Sequence, residues 1–210
     1  MSGADLWLPV LLLVAAAVVA LGWYLLFCAR RLDRLHRRVE GAAVALDDQL
    51  LRRAQAALEL TASGTLDPAS ALLVAGAAAT ALEAGEGRAA QVALDPFSRS
   101  RLEALSEERE SAESDLSRAL RATLDPLPDD HPARTDHLLD QLGALGHRVA
   151  LARRFHNDAV SHATALRRKR LVRWARLAGS APRPRTVDFD DAPFRAAPQD
   201  GPRTGLPSVP

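Results

Sequence analysis

The chain has 210 residues, enough for one folded domain beyond a membrane anchor, and its 27 Lys and Arg nearly balance 26 Asp and Glu for a net charge of +1. That balance leaves no global field to steer nucleic acid, and a single cysteine excludes an internal disulfide framework and fits a reducing compartment. Aromatics make up only 4% and alanine dominates, which suits close-packed helices rather than strands.

The first element is an uncharged stretch, Leu6 to Ala29, of 24 residues. A bilayer's hydrocarbon core needs about 20 helical residues. Trp7 lies at one end and Trp23 and Tyr24 near the other, as in the aromatic belts of a membrane span. Pro9 falls in the first turn, where its missing N–H costs little. A cleaved signal peptide would need a basic n-region and a shorter apolar core, and Met1–Asp5 contains no base. Lipoprotein processing at Cys28 is disfavoured by Phe27, since a small residue is wanted there. Arg30, Arg31, Arg34, Arg37 and Arg38 follow the span, so the positive-inside rule places the rest of the chain in the cytoplasm. These arginines also suit contact with anionic headgroups.

Leu32, Leu35, Val39, Ala42, Leu46 and Leu50 recur at helical spacing, so the first helix is expected to continue unbroken to about Leu60, where Ser63-Gly64 ends it. Asp67-Pro68 reads as an N-cap and first helical position, opening a helix to about Ala84 that Gly85 and Gly87 interrupt. Asp95-Pro96 repeats the start signal for a third helix to about Leu124, with Leu102, Leu105, Ala112, Leu116 and Ala119 inward. Its other face, Glu103, Glu107, Glu108, Glu110, Glu113 and Asp115, reads as solvated acid. A turn over Asp125–Pro132 leads to a fourth helix from about Ala133 to Ala178, in which Gly143 and Gly146 weaken the helix or admit a close neighbour. Seven of the thirteen prolines lie beyond Ser180, and that tail reads as disordered.

The expected fold is therefore all-α. Residues 1–29 form the flank and transmembrane helix, 30–179 an antiparallel bundle of long helices, and 180–210 a disordered Pro/Arg-rich tail. Summed helix lengths return the end of the fourth helix to the membrane face. That end carries Arg167, Arg168, Lys169, Arg170, Arg173 and Arg176 around Trp174, a set suited to anionic lipid. The same set also complements a helix C-terminus, or a nucleic acid, though the near-neutral chain carries no recognition motif for the latter.

Chemistry-bearing motifs are scarce. The six histidines form no i, i+4 pair, and no phosphate loop or nucleophile elbow occurs, so no catalytic residue, cofactor or metal is expected. The absence of isoleucine and the single Lys169 and Asn157 reflect GC-rich codon usage, which points to a high-GC bacterium. Against that bias the segment Ala152–Val160 stands out: it places Arg153, Phe155, Asn157 and Asp158 on a helix otherwise built from Ala and Leu. A buried Asn there would fix helix register. Arg154 and Asp158 are spaced as an i, i+4 pair.

At these residues the chain resembles the LemA family, whose late helix carries an Ala-Arg-x-x-Tyr-Asn-x-x-Val pattern. Ala152, Arg153, Asn157 and Val160 match it, with His156 at the Tyr position, and Leu50, Arg52 and Arg53 match an earlier Leu-x-Arg-Arg feature. After Arg53 the chain departs from the family and reads AQAALELT. The resemblance implies an inner-membrane anchor with a cytoplasmic helical bundle and no inherited catalytic residue. The function it suggests is a scaffold or adaptor that tethers a protein partner, with membrane lipid as its integral contact and self-association as a further option.

Overall fold

The computed structural model describes residues 4–94, 105–128, 130–131, 137–168 and 184–195, and among these every regular element is helical. The order is α1 (Ala4–Ala62), α2 (Pro68–Leu94), α3 (Glu107–Leu124) and α4 (His137–Arg167). Contacts divide the chain into two compact units. One contains residues 1–44 and 154–186, the other residues 45–96, 105–153 and 187–210, with 97–104 assigned to the first.

The uncharged stretch and the bundle stripe form one helix of 59 residues, α1, as the continuous periodicity predicts. Ser63 and Gly64 end it, and Gly64 takes the left-handed φ of 74° that glycine adopts without a Cβ penalty. Asp67 caps α2 as read: its Oδ2 accepts from the backbone N–H of Ala69 and Ser70, both at 3.1 Å. These donors hold the Asp67 carboxyl below its ordinary value, with the Ser70 hydrogen bonds the largest cause.

Three boundaries differ from expectation. α2 does not stop near Ala84 but runs through Gly85 and Gly87 to Leu94. An interior glycine weakens a helix by only about 1 kcal/mol, and Gly85 is needed bare for a reason given below. α3 does not run unbroken from Asp95-Pro96, which lie outside the described residues. Leu105 and Ser106 are non-helical, and Ser106 is the N-cap, its Oγ accepting from Arg109 N–H at 3.2 Å. Glu107, Glu108 and Glu110 fill the first turn, where they complement the helix dipole. α4 ends at Arg167, so Lys169, Arg170, Arg173, Trp174 and Arg176 lie outside the described residues.

The tail also differs. Within 180–210, residues 184–195 are an ordered, non-helical segment, with Val187 and Phe189 buried. Alternation of buried Val187, exposed Asp188 and buried Phe189 is that of an extended chain. Residues 180–183 and 196–210 lie outside the described set.

In the larger unit, one core draws on all four helices. Ala54, Ala57 and Leu60 of α1 meet Val74, Ala78 and Ala81 of α2, Leu116, Leu120 and Leu124 of α3, and Leu139 and Leu142 of α4. The many alanines let helix axes approach closely, so a chain poor in aromatics still reaches a dense interior. Leu116→Ala removes a fully buried side chain among these small neighbours and is expected to cost about 2–5 kcal/mol. Denaturant titration checks it, with the midpoint falling and the slope unchanged.

In the smaller unit, Leu32 and Cys28 of α1 pack on Leu166 of α4, while Val39 packs on Ala159, Val160 and Ala163. Residue numbers fall along α4 as they rise along α1.

Candidate functional site

Two helices are long and apolar enough to cross a membrane, one within Pro9–Ala62 with mean hydropathy 2.6, the other Pro68–Glu86 at 1.3. They differ in what they bury. Val74, Ala78 and Ala81 of the second are fully buried in the core. Every described residue from Pro9 to Tyr24 of the first is exposed, with Trp7 at 74% and Trp23 at 77%.

Where the apolar stretch ends, Arg30, Arg31, Arg34, Arg37 and Arg38 project outward, with Arg37 paired to Asp33 one turn away. Leu166 packs against Cys28 and Leu32, so the last residues of α4, Arg167 and Arg168, come to the same level as Arg30 and Arg31. Arg167 is close enough to help depress the His36 pKa, whose larger cause is burial.

The larger unit contains an ionic cluster inside its core. Arg53 sits where the α1 stripe of Leu46 and Leu50 next turns inward, and Arg109 sits in the gap between Leu105 and Ala112 on α3. Arg53 Nη2 donates to Glu113 Oε2 at 2.7 Å and to the Glu113 carbonyl at 3.2 Å, and Nη1 donates to Ser117 Oγ at 3.1 Å. Arg109 Nε lies 3.0 Å from Glu113 Oε1, and its Nη1 donates to the Ala81 carbonyl of α2. Glu113 is 0% exposed, which corrects its reading as part of a solvated acidic face. Burial pushes its pKa up, against the downward pull of Arg53 and Arg109.

Gly85 lies beneath this cluster. A Cβ there would meet the Arg109 guanidinium, which is held on one side by Glu113 and on the other by Ala81. Gly85→Ala is therefore expected to destabilise, although glycine to alanine in a helix ordinarily gains about 0.5–1 kcal/mol. Gly146→Ala, which meets nothing within 4 Å, is expected to show the ordinary gain. Thermal unfolding of the two variants side by side checks the opposite signs.

A groove between α3 and α4 holds the C-terminal segment. Arg153 Nε and Nη2 donate to Asp191 Oδ2 and Oδ1 at 2.8 and 2.9 Å, a two-point fork, and its guanidinium lies 5.7 Å from the Phe189 ring centroid. Arg121 grips Asp190 with both Nη atoms and donates to the Ala192 carbonyl at 3.1 Å. The backbone N–H of Asp190 donates to Ser114 Oγ at 3.1 Å, and that of Arg195 donates to Asp125 Oδ1 at 2.7 Å. Phe194 packs on the core edge. Under Asp191–Phe194 is a cavity of about 30 Å³, floored by Gly143, Gly146 and Leu142. A Cβ at Gly146 would meet nothing within 4 Å, so no close neighbour accounts for that glycine.

Hydrogen bonding to Arg121 holds the Asp190 pKa below its ordinary value. Its folded value lies below the unfolded one of about 3.9, so the stabilisation is complete above that pH and disappears as pH falls through the folded value. Acid titration is expected to release the segment there, read by the amide resonance of Asp190, and Asp190→Asn removes the dependence.

The Ala152–Val160 residues are divided between the units. Arg153 serves the groove, with Ala152 half-buried beside it. Val160 packs on Val39, Phe155 is exposed, and Asn157 is half-buried, its carbonyl accepting from Ser161 Oγ. The partner of Asp158 is His162 at 3.2 Å.

Protein-family models, curated proteins and solved structures offer no match to this chain. The site is therefore read from its geometry alone. Among the described residues, no group of three or more His, Cys, Asp or Glu is placed to hold a metal ion. Sequence reasoning missed Arg109, Glu113, Arg121 and the 187–195 segment. Only the stripe position skipped between Leu105 and Ala112 signalled Arg109.

Proposed function

We propose that the chain is a single-pass membrane protein whose antiparallel helical bundle acts as a non-enzymatic scaffold of the LemA type, tethering a protein partner at the inner membrane of a bacterium. The observation that carries this reading is the full exposure of Pro9–Tyr24, all uncharged, on the helix that also enters the core. A helix with an apolar surface all round needs an apolar medium all round. The arginine flank favours a bundle on the cytoplasmic side by the positive-inside rule. Tethering acts by effective concentration: a partner held at the membrane meets other membrane-bound molecules far more often than a free one.

The level shared by Arg30, Arg31, Arg167 and Arg168 supports a second contact, with anionic headgroups. Each base near such a surface contributes about 1 kcal/mol. Reconstituted chain carrying Arg167→Gln and Arg168→Gln is expected to show a weaker preference for phosphatidylglycerol over phosphatidylcholine vesicles, by about 1 kcal/mol for each base removed. An unchanged preference would remove this contact from the account. A salt-dependent gel shift by the same protein would instead favour nucleic acid.

Crosslinking in living cells from a photoreactive residue at exposed Leu72 or Leu151, followed by pulldown, tests the scaffold. A discrete partner recovered from the membrane fraction is the expected result. Recovery of the chain alone would contradict the adaptor role.

A further inference from the structure

We propose that the groove between α3 and α4 is a peptide-recognition site for an acidic, phenylalanine-bearing segment of a protein partner, and that residues 187–195 occupy it in cis as an intramolecular competitor. Its acid-binding groups are Arg121 and Arg153, whose two forks grip Asp190 and Asp191 separately. Forked guanidinium–carboxylate pairing combines charge with geometry, which is how arginine clusters select acidic motifs. The apolar part is read by Arg153 stacked over Phe189 and by the core edge under Phe194.

The segment is seated as a ligand is, rather than as a piece of the core. Side chains of Ser114, Arg121, Asp125 and Arg153 on the helices hold it by hydrogen bonds. Phe194 only leans on the buried Ala54–Leu145 cluster, while Val187 and Phe189 are the apolar side chains that the segment buries. The cavity of about 30 Å³ beneath Asp191–Phe194 shows a seat less tightly filled than a protein interior. Charge decides the occupant. A basic or neutral peptide would leave two half-buried guanidiniums unpaired, whereas two neighbouring carboxylates satisfy both.

A tethered competitor presents itself at roughly millimolar effective concentration, so a partner peptide must exceed that advantage or the tether must be released. The groove lies within one unit and functions with or without membrane placement, so its failure and that of the anchored reading are separable.

The test uses the full chain in detergent micelles and a fluorescent synthetic peptide of residues 186–196, read by anisotropy. Asp190→Arg with Asp191→Arg in the chain releases the cis segment. The released variant is expected to bind the peptide at least about ten-fold more tightly than the unaltered chain. A peptide carrying Asp190→Asn and Asp191→Asn is expected to lose that binding. Equal affinity of both chains, or indifference to the peptide's carboxylates, overturns the proposal. So does loss of helicity in the released variant, because a segment required for folding is not a displaceable ligand. A concentration-dependent dimer of the unaltered chain, dissolved by the peptide, would make a second copy the occupant and also overturn it. In the unaltered chain, excess peptide is expected to speed trypsin cleavage after Arg185 and Arg195, by freeing the backbone around these already exposed side chains, and an unchanged rate counts against the site.

Discussion

Glu113→Ala is expected to cost about 3–5 kcal/mol of folding stability, because it leaves two buried guanidiniums without their shared carboxylate. Arg53 and Arg109 are 4% and 1% exposed, so water cannot replace the lost partner. The loss is a large share of the roughly 5–15 kcal/mol that holds an ordinary domain together. Urea titration of the purified chain in mild detergent measures it. Replacing the whole cluster, with Arg53→Met, Arg109→Met and Glu113→Leu, is expected to recover most of the loss, since apolar side chains avoid the desolvation that raises the Glu113 pKa. A cost below about 1 kcal/mol for Glu113→Ala would mean that the cluster is solvated. Arg53 reaches from α1 to α3, and Arg109 from α3 to α2, so the ionic cluster fixes the register of three helices.

Val14→Arg together with Val18→Arg is expected to move the protein from the membrane pellet to the soluble fraction. Each arginine near a span centre opposes insertion by about 2.5–3.5 kcal/mol, and the pair by about 5–7 kcal/mol. Both valines are exposed, so neither substitution disturbs the bundle, and helicity by circular dichroism is expected to hold. Leu72→Arg with Leu73→Arg on the other apolar helix is the control. Those side chains are also exposed, but their helix is anchored in the core by Val74, Ala78 and Ala81, so membrane retention is expected to persist. Extraction of the control but not of the α1 pair would reassign the span to α2.

The helical class and the single long α1 are legible in the sequence because one apolar period continues from Leu32 to Leu50. The Asp67-Pro68 start is legible because its cap is local. The errors arise where a distant partner decides. Gly85 looks like a helix stop until Arg109, 24 positions on, is seen to need the space above it. Glu113 looks like one of many surface acids until Arg53, 60 positions away, is placed against it. The segment 187–195 is proline-flanked and without period, so composition reads it as disordered, yet it contains Phe189 and Phe194 from the chain's five phenylalanines. Its order depends on Arg121 and Arg153, which no local pattern reveals. Within Ala152–Val160, Arg153 turns to the C-terminal segment, a partner 38 positions away that no local pattern indicates.

Placement in the membrane is the central claim, and residue accessibility in intact cells tests it most directly. With Cys28 replaced by serine, one new cysteine is introduced at Ser2 or at Arg195, and a membrane-impermeant maleimide is applied to intact bacteria expressing the chain. The account predicts labelling of Ser2→Cys from outside and labelling of Arg195→Cys only after the membrane is opened. Labelling of Arg195→Cys in intact cells, or protection of both positions until lysis, would contradict it.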